Sequence, residues 1–121
     1  MYLIDNNIII YSYLSDYKYL RDLFVPDQVV VSEISRVEVL GYNKITKAEE
    51  SYFQDIFRLI PIILPSQAIF DAAIIFRKMH KLSLGDSLIA GTAMVHNLTI
   101  YTKNFSDFKK LTGIDCIDPV K

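Results

Sequence analysis

Three carboxylates that lie far apart in the chain occupy related local positions. Asp5 stands just past the apolar run Tyr2-Leu3-Ile4, Glu38 about one helical turn past the run Gln28 to Val31, and Asp86 at the start of a late helical stretch. In an open parallel sheet, groups just outside the carboxyl ends of the strands converge on one crevice. Two carboxylates ~4 Å apart repel by ~4 kcal/mol at an effective dielectric near 20, enough to strain a small domain. A divalent cation removes that strain, and ligands that are all oxygen select a hard ion. An ion held in this way activates water and clamps an anionic phosphate, which is the chemistry of phosphodiester hydrolysis.

Each acid also has a purely structural explanation. Asp5 and Asp86 fit helix N-caps, and Ser35-Arg36-Val37-Glu38 fits a capping box. The chemical reading therefore rests on their joint placement. Zinc does not fit this chain: His80 and His96 are separated by sixteen residues with no second pair, and both read as residues at helix ends.

The elements that must position these acids follow from the apolar pattern. Tyr2 to Ile4 predicts a buried strand, with a helix starting near Asn7 and a second short helix after a break around Ser15-Asp16. Gln28 to Val31 predicts a second strand closed by Ser32, followed by a helix from Ser32 or Ser35 to Gly41. Thr46-Lys47-Ala48-Glu49 is a capping box that opens a helix with Phe53, Ile56, Phe57 and Ile60 on one face. Ile62 to Leu64 predicts a third strand, and Ser66 caps a helix with Ile69, Ala72, Ala73, Phe76 and Met79 turned inward. Asp86 opens the next helix, Leu98 to Tyr101 predicts a fourth strand, and a short helix over Ser106 to Leu111 precedes an edge strand near Asp115 to Ile117. The alternation predicts an α/β fold: a doubly wound, mostly parallel sheet of four to five strands with helices on both faces.

Composition bounds the class. A chain of 121 residues with no Pro/Gly/Ser-rich linker reads as one domain, and 51% hydrophobic residues suffice for a real core. The lone Cys116 cannot close an internal disulfide, and the pattern from residue 2 onward leaves no room for a secretory leader, so a reducing cytoplasm is expected. The longest apolar runs fall far short of the ~20 residues of a membrane-spanning helix. A net charge of −1 carries no overall basic signature. With the three acids neutralised the balance becomes −1 + 3 = +2, and Arg77, Lys78, Lys81, Lys103, Lys109 and Lys110 all lie in the C-terminal half, which suits a short grip on substrate.

Four segments together resemble the PIN domains: Tyr2-Leu3-Ile4-Asp5-Asn6-Asn7, Ser32 to Glu38, Leu84 to Ala90, and Thr102 to Phe108. They stand in the order and at the separations of that family and cover essentially the whole chain. The resemblance is strongest to the compact VapC-type toxins of type II toxin–antitoxin pairs. It implies a fold of the kind described above, Mg²⁺ or Mn²⁺ as cofactor, and hydrolysis of single-stranded or looped RNA. Asp5, Glu38 and Asp86 then carry over as metal ligands. Asn104 stands where the family has Asp or Asn and ranks ahead of Asp107, one turn later, as the fourth site residue. Asn6 stands where the family commonly has Thr or Ser, and its amide is expected to orient a metal-bound water. The resemblance also implies a small protein antitoxin on the Ile8 to Phe24 region and a homodimer. Two other classes compete with this one. A metal-free PIN-like module could bind RNA or protein without cutting. A receiver domain would need paired acids after the first strand and an acceptor Asp after the central one, whereas Asp5 is followed by two Asn and Leu64 by Pro65.

Overall fold

The computed structural model describes residues 1–120. Five short strands form one sheet in the order β3-β2-β1-β4-β5, and every neighbouring pair is parallel. They are β1 (Tyr2–Ile4), β2 (Val29–Ser32), β3 (Ile62–Ile63), β4 (Thr99–Tyr101) and β5 (Cys116–Ile117). Between them run α1 (Asn6–Tyr13), a 3-10 segment (Ser15–Leu23), α2 (Glu33–Leu40), α3 (Lys47–Leu59), α4 (Gln67–Met79), α5 (Leu84–His96) and α6 (Phe105–Phe108). This is the doubly wound α/β arrangement that the alternation of elements predicts.

The side-chain period of two along each strand builds two cores, one on each face of the sheet. Ile4, Val29 and Val31 join Ile8, Ile9, Val39, Phe53, Ile56 and Phe57 under α1, α2 and α3. Leu3, Val30 and Ile100 point to the other face and join Phe76, Ile89, Ala90, Ala93 and Phe108 under α4, α5 and α6. With both faces covered, the strands read as continuous apolar runs rather than alternating ones. Helices α4 and α5 pack tightly: a Cβ on Gly91 would lie 2.6 Å from the carbonyl oxygen of Ile69, so only glycine admits this approach.

Several details depart from the sequence reading; α6, expected to run to Leu111, ends at Phe108. Met79 is 65% exposed, because it falls beyond the inward stripe formed by Ile69, Ala73 and Phe76. Strand β3 stops at Ile63, leaving Leu64 exposed. Helix α5 begins at Leu84 rather than Asp86, since Ser83 is its cap. His80 and His96 do stand at helix ends, the first as the cap of α4 and the second as the last residue of α5. Among the described residues no helix is long and apolar enough to cross a membrane.

Candidate metal centre

Strand order reverses between β1 and β4. From β1 the chain moves toward β2 and β3 on one side, while β4 and β5 lie on the other. Such a switch point leaves a crevice at the carboxyl ends of the two strands. Asp5 leaves β1 there, and Thr102, Lys103 and Asn104 leave β4 beside it, with Ile4 paired to Tyr101 in register.

Asp5 is 2% exposed and caps α1. Its Oδ1 accepts the Asn6 backbone N–H at 2.8 Å. Its Oδ2 accepts the Thr102 hydroxyl at 2.8 Å and the Asn7 amide at 3.3 Å. Thr102 is fully buried, and its Oγ1 also accepts the backbone N–H of Asn104 at 2.9 Å. The Asn104 amide then donates to Asp86 Oδ2 at 3.0 Å. One hydrogen-bonded chain thus runs from Asp5 through Thr102 and Asn104 to Asp86, across residues separated by 97 positions at its first link.

Glu38 arrives from the second half of α2, well past the first turn. The cap of that helix is Ser32, whose hydroxyl accepts the Ile34 N–H at 3.1 Å, so the Ser35 to Glu38 pattern is not a capping box. The Glu38 carboxylate reaches α5: a Cβ on Gly85 would lie 3.1 Å from Glu38 Oε2 and 3.2 Å from Oε1. The missing side chain at Gly85 is what lets Glu38 rest against the first turn of α5, next to Asp86. Asp86 itself is no cap, because the Ser83 hydroxyl takes its backbone N–H at 3.1 Å.

Electrostatics record the gathering. Burial raises the Asp5 carboxyl from 3.8 to about 6 against the opposing hydrogen bonds of Thr102 and Asn6, and the charges of Asp86 and Glu38 add to the rise. Burial, then the charge of Asp86, raises Glu38. Burial, then the charge of Asp107, raises Asp86, while Ser83 and Asn104 hold it down. Asp107 lies near enough for its charge to be felt, but it pairs with Lys110 at 3.9 Å, whereas Asn104 touches Asp86 directly.

The structure therefore brings Asp5, Glu38, Asp86 and Asn104 to one crevice, with Asp107 at its margin. Among the described residues no three acidic, histidine or cysteine side chains are gathered closely enough to enclose an ion as they stand. The donor set still suits a hard divalent cation: it can offer oxygen alone, and the charge of Asp86 raises both Asp5 and Glu38. The amide that orients Asp5 belongs to Asn7. Asn6 contributes only its backbone N–H to that carboxylate. Asn7 and Thr102 were missed in the sequence; the polar stop that ends each strand was the signal that could have drawn attention to them.

The sequence pattern of the PIN domain family matches residues 2–113. No curated protein matches the chain. Among solved structures, a toxin–antitoxin complex from Klebsiella pneumoniae contains a chain 30% identical to this one, with a TM-score of 0.80 and coverage of 100% of this chain and 99% of that one. A chain of VapBC2 from Rickettsia felis, bound to a DNA fragment from its promoter, is 21% identical with a TM-score of 0.79, covering 96% of each chain. A chain of FitAcB from Neisseria gonorrhoeae is 19% identical with a TM-score of 0.81, covering 98% of each, and so shares the fold. Carboxylates convergent at the switch point of a parallel sheet, a family match over nearly the full length and a 30% identical full-length relative lead to one conclusion: the chain belongs to the PIN domain family.

Proposed function

We propose that this chain is a divalent-metal-dependent endoribonuclease and the toxin of a toxin–antitoxin pair. The observation that carries this reading is the meeting of Asp5, Glu38 and Asp86, from three distant elements, at one crevice where each is pushed toward its protonated form. Asp5, Glu38 and Asp86 would hold Mg²⁺ or Mn²⁺, with Asn104 completing the set and Asp107 adding charge from the margin. When bound, the ion supplies charge stabilisation to the phosphate and lowers the pKa of water.

The chain's own residues divide the remaining work. Asp5 is the fixed point, because three donors hold its two oxygens in place. Asn104 orients Asp86 through its amide. Glu38, the most exposed of the three acids and lying against Gly85, is placed to hold the attacking water and accept its proton. The N-terminal turns of α1 and α5 open at the same crevice and favour the anionic phosphate.

A protein partner fits the Ile8 to Phe24 region, where Ile10, Leu14 and Tyr19 are exposed. The 30% identical chain from Klebsiella pneumoniae comes from a toxin–antitoxin complex, so the partner proposed here is a small antitoxin. A homodimer would use a second apolar surface, and Phe70, Ile74, Ile75 and Met79 are exposed along α4. The working compartment on this reading is the cytoplasm, where RNA is available.

The test is cleavage of single-stranded RNA by the purified protein with Mg²⁺ or Mn²⁺, with and without chelator. Cleavage should require the metal and should fall by more than ~100-fold in Asp86→Asn, since even partners behind the ligands cost 10–100-fold when removed. Cleavage that survives chelation, or an Asp86→Asn protein that still cuts, would remove the assignment. Metal that raises the melting temperature without any cleavage would favour a binding module instead.

A further inference from the structure

We propose that Lys103 and Tyr11 form a seat for single-stranded RNA beside the acidic crevice, the ammonium taking a backbone phosphate and the tyrosine rings a base. The inference rests on the ribonuclease reading and adds to it where, and in what form, the substrate is held. Lys103 lies between Thr102, which holds Asp5, and Asn104, which holds Asp86, so its backbone is tied to the site on both sides. Helix α1 grips it at two points. The Asn7 side-chain oxygen accepts the Lys103 backbone N–H at 3.1 Å, and the Lys103 Nζ lies 5.1 Å from the centre of the Tyr11 ring. Asn7 and Tyr11 are four residues apart and share one face of the helix, so a single helical turn sets both the start and the end of this side chain.

The contact itself is informative. Lys103 is exposed and its backbone adjoins the acidic crevice, yet among the described residues it makes no ion pair, whereas Lys110 does pair with Asp107. An ammonium resting on a ring face is held in place without being neutralised, so it remains available to an anion. A crevice built from carboxylates repels a polyanion, and a cation at its lip offsets that repulsion. Tyr11 meets Tyr17 edge to face at 5.0 Å, and Tyr17 lies 6.3 Å from Tyr19, so rings continue away from the lysine. Cations interleaved with aromatic rings hold single strands with little regard to sequence, because every base has a stacking face. Bases in a duplex are already stacked and cannot reach such rings.

The experiment follows binding of a short, fluorescein-labelled, single-stranded oligoribonucleotide by anisotropy across a salt series, in an Asp86→Asn background that stops cleavage. Lys103→Ala should weaken binding several-fold and lower the salt slope by about 0.7. Tyr11→Leu should weaken it about tenfold, while Tyr11→Phe and Lys103→Arg bind nearly as the parent does. With Asp86 intact, KM should rise by more than kcat falls in Lys103→Ala. A duplex of the same sequence should bind more weakly and without dependence on Tyr11. Unchanged affinity in both Lys103→Ala and Tyr11→Leu would overturn the proposal, as would losses that follow the melting temperature and leave the salt slope alone. Substitutions that spare RNA binding but release a small co-purifying protein would make this patch a protein-docking face and overturn it too. Lys103-dependent binding in a protein that cuts no RNA would sink the ribonuclease reading alone. Mg²⁺-dependent cleavage indifferent to Lys103 and Tyr11 would sink this inference alone.

Discussion

Helices α1 and α5 both begin at the crevice and each brings an aspartate to it, by opposite local means. In α1 the aspartate is itself the cap: Asp5 is buried, one oxygen takes the Asn6 N–H, and the other takes Thr102 and Asn7. In α5 a serine does the capping, so the Asp86 carboxylate is relieved of that duty and meets Asn104 from a half-buried position. Asp5 is therefore locked by the scaffold, while Asp86 and its neighbour Glu38 have room to adjust to what they bind. A site made from one fixed and two adjustable carboxylates keeps its place in the fold while tolerating the approach of an ion and a phosphate.

The sharpest way to break this comparison is to remove the charge of the locked acid. The folded carboxyl of Asp5 titrates near 6 against an unperturbed 3.8. The native state thus holds a proton that the unfolded chain has lost between about pH 4 and about pH 6, and stability falls as pH rises through that window. A shift of about two units corresponds to ~3 kcal/mol. In metal-free protein the native chain should accordingly lose up to ~3 kcal/mol of stability between about pH 4 and pH 7, a pH dependence that Asp5→Asn should lack whatever its own stability. Denaturant melts across that range measure it, and native and variant curves that coincide at every pH would show that Asp5 is not held against its charge.

Thr102→Val tests the lock itself. It removes a donor from Asp5 and an acceptor from the Asn104 N–H, leaving buried groups unpaired at a cost of about 2 kcal/mol. Mn²⁺ affinity should drop by ~10–100-fold, as for other partners that orient a ligand. Melting and Mn²⁺ titration followed by electron spin resonance read the two effects separately, and unaltered Mn²⁺ affinity would mean that Asp5 needs no lock. Ser83→Ala gives the smallest effect, about 1 kcal/mol of helix stability. Its Mn²⁺ affinity should change far less than in Thr102→Val; an equal loss would erase the distinction between a cap that is also a ligand and a cap that frees one.

The local pattern of the sequence was enough to place the strands and the longer helices within a residue or two, though it ran α6 three residues too far, to find the capping box at Thr46, and to put Asp5 at the end of β1. These features depend on neighbours a few residues away, through burial periodicity and the pairing of the first N–H groups of a helix. What the tertiary structure alone decided is which polar groups meet. Thr102 bonds Asp5 across 97 positions, and Asn7 rather than Asn6 reaches the backbone of Lys103, because β1 and β4 are neighbours in the sheet. Glu38 lies against Gly85 because α2 packs beside α5, and the start of α5 moved forward by two residues because the Ser83 hydroxyl was there to cap it. Strand order and helix packing are properties of the whole core, and no window of sequence contains them.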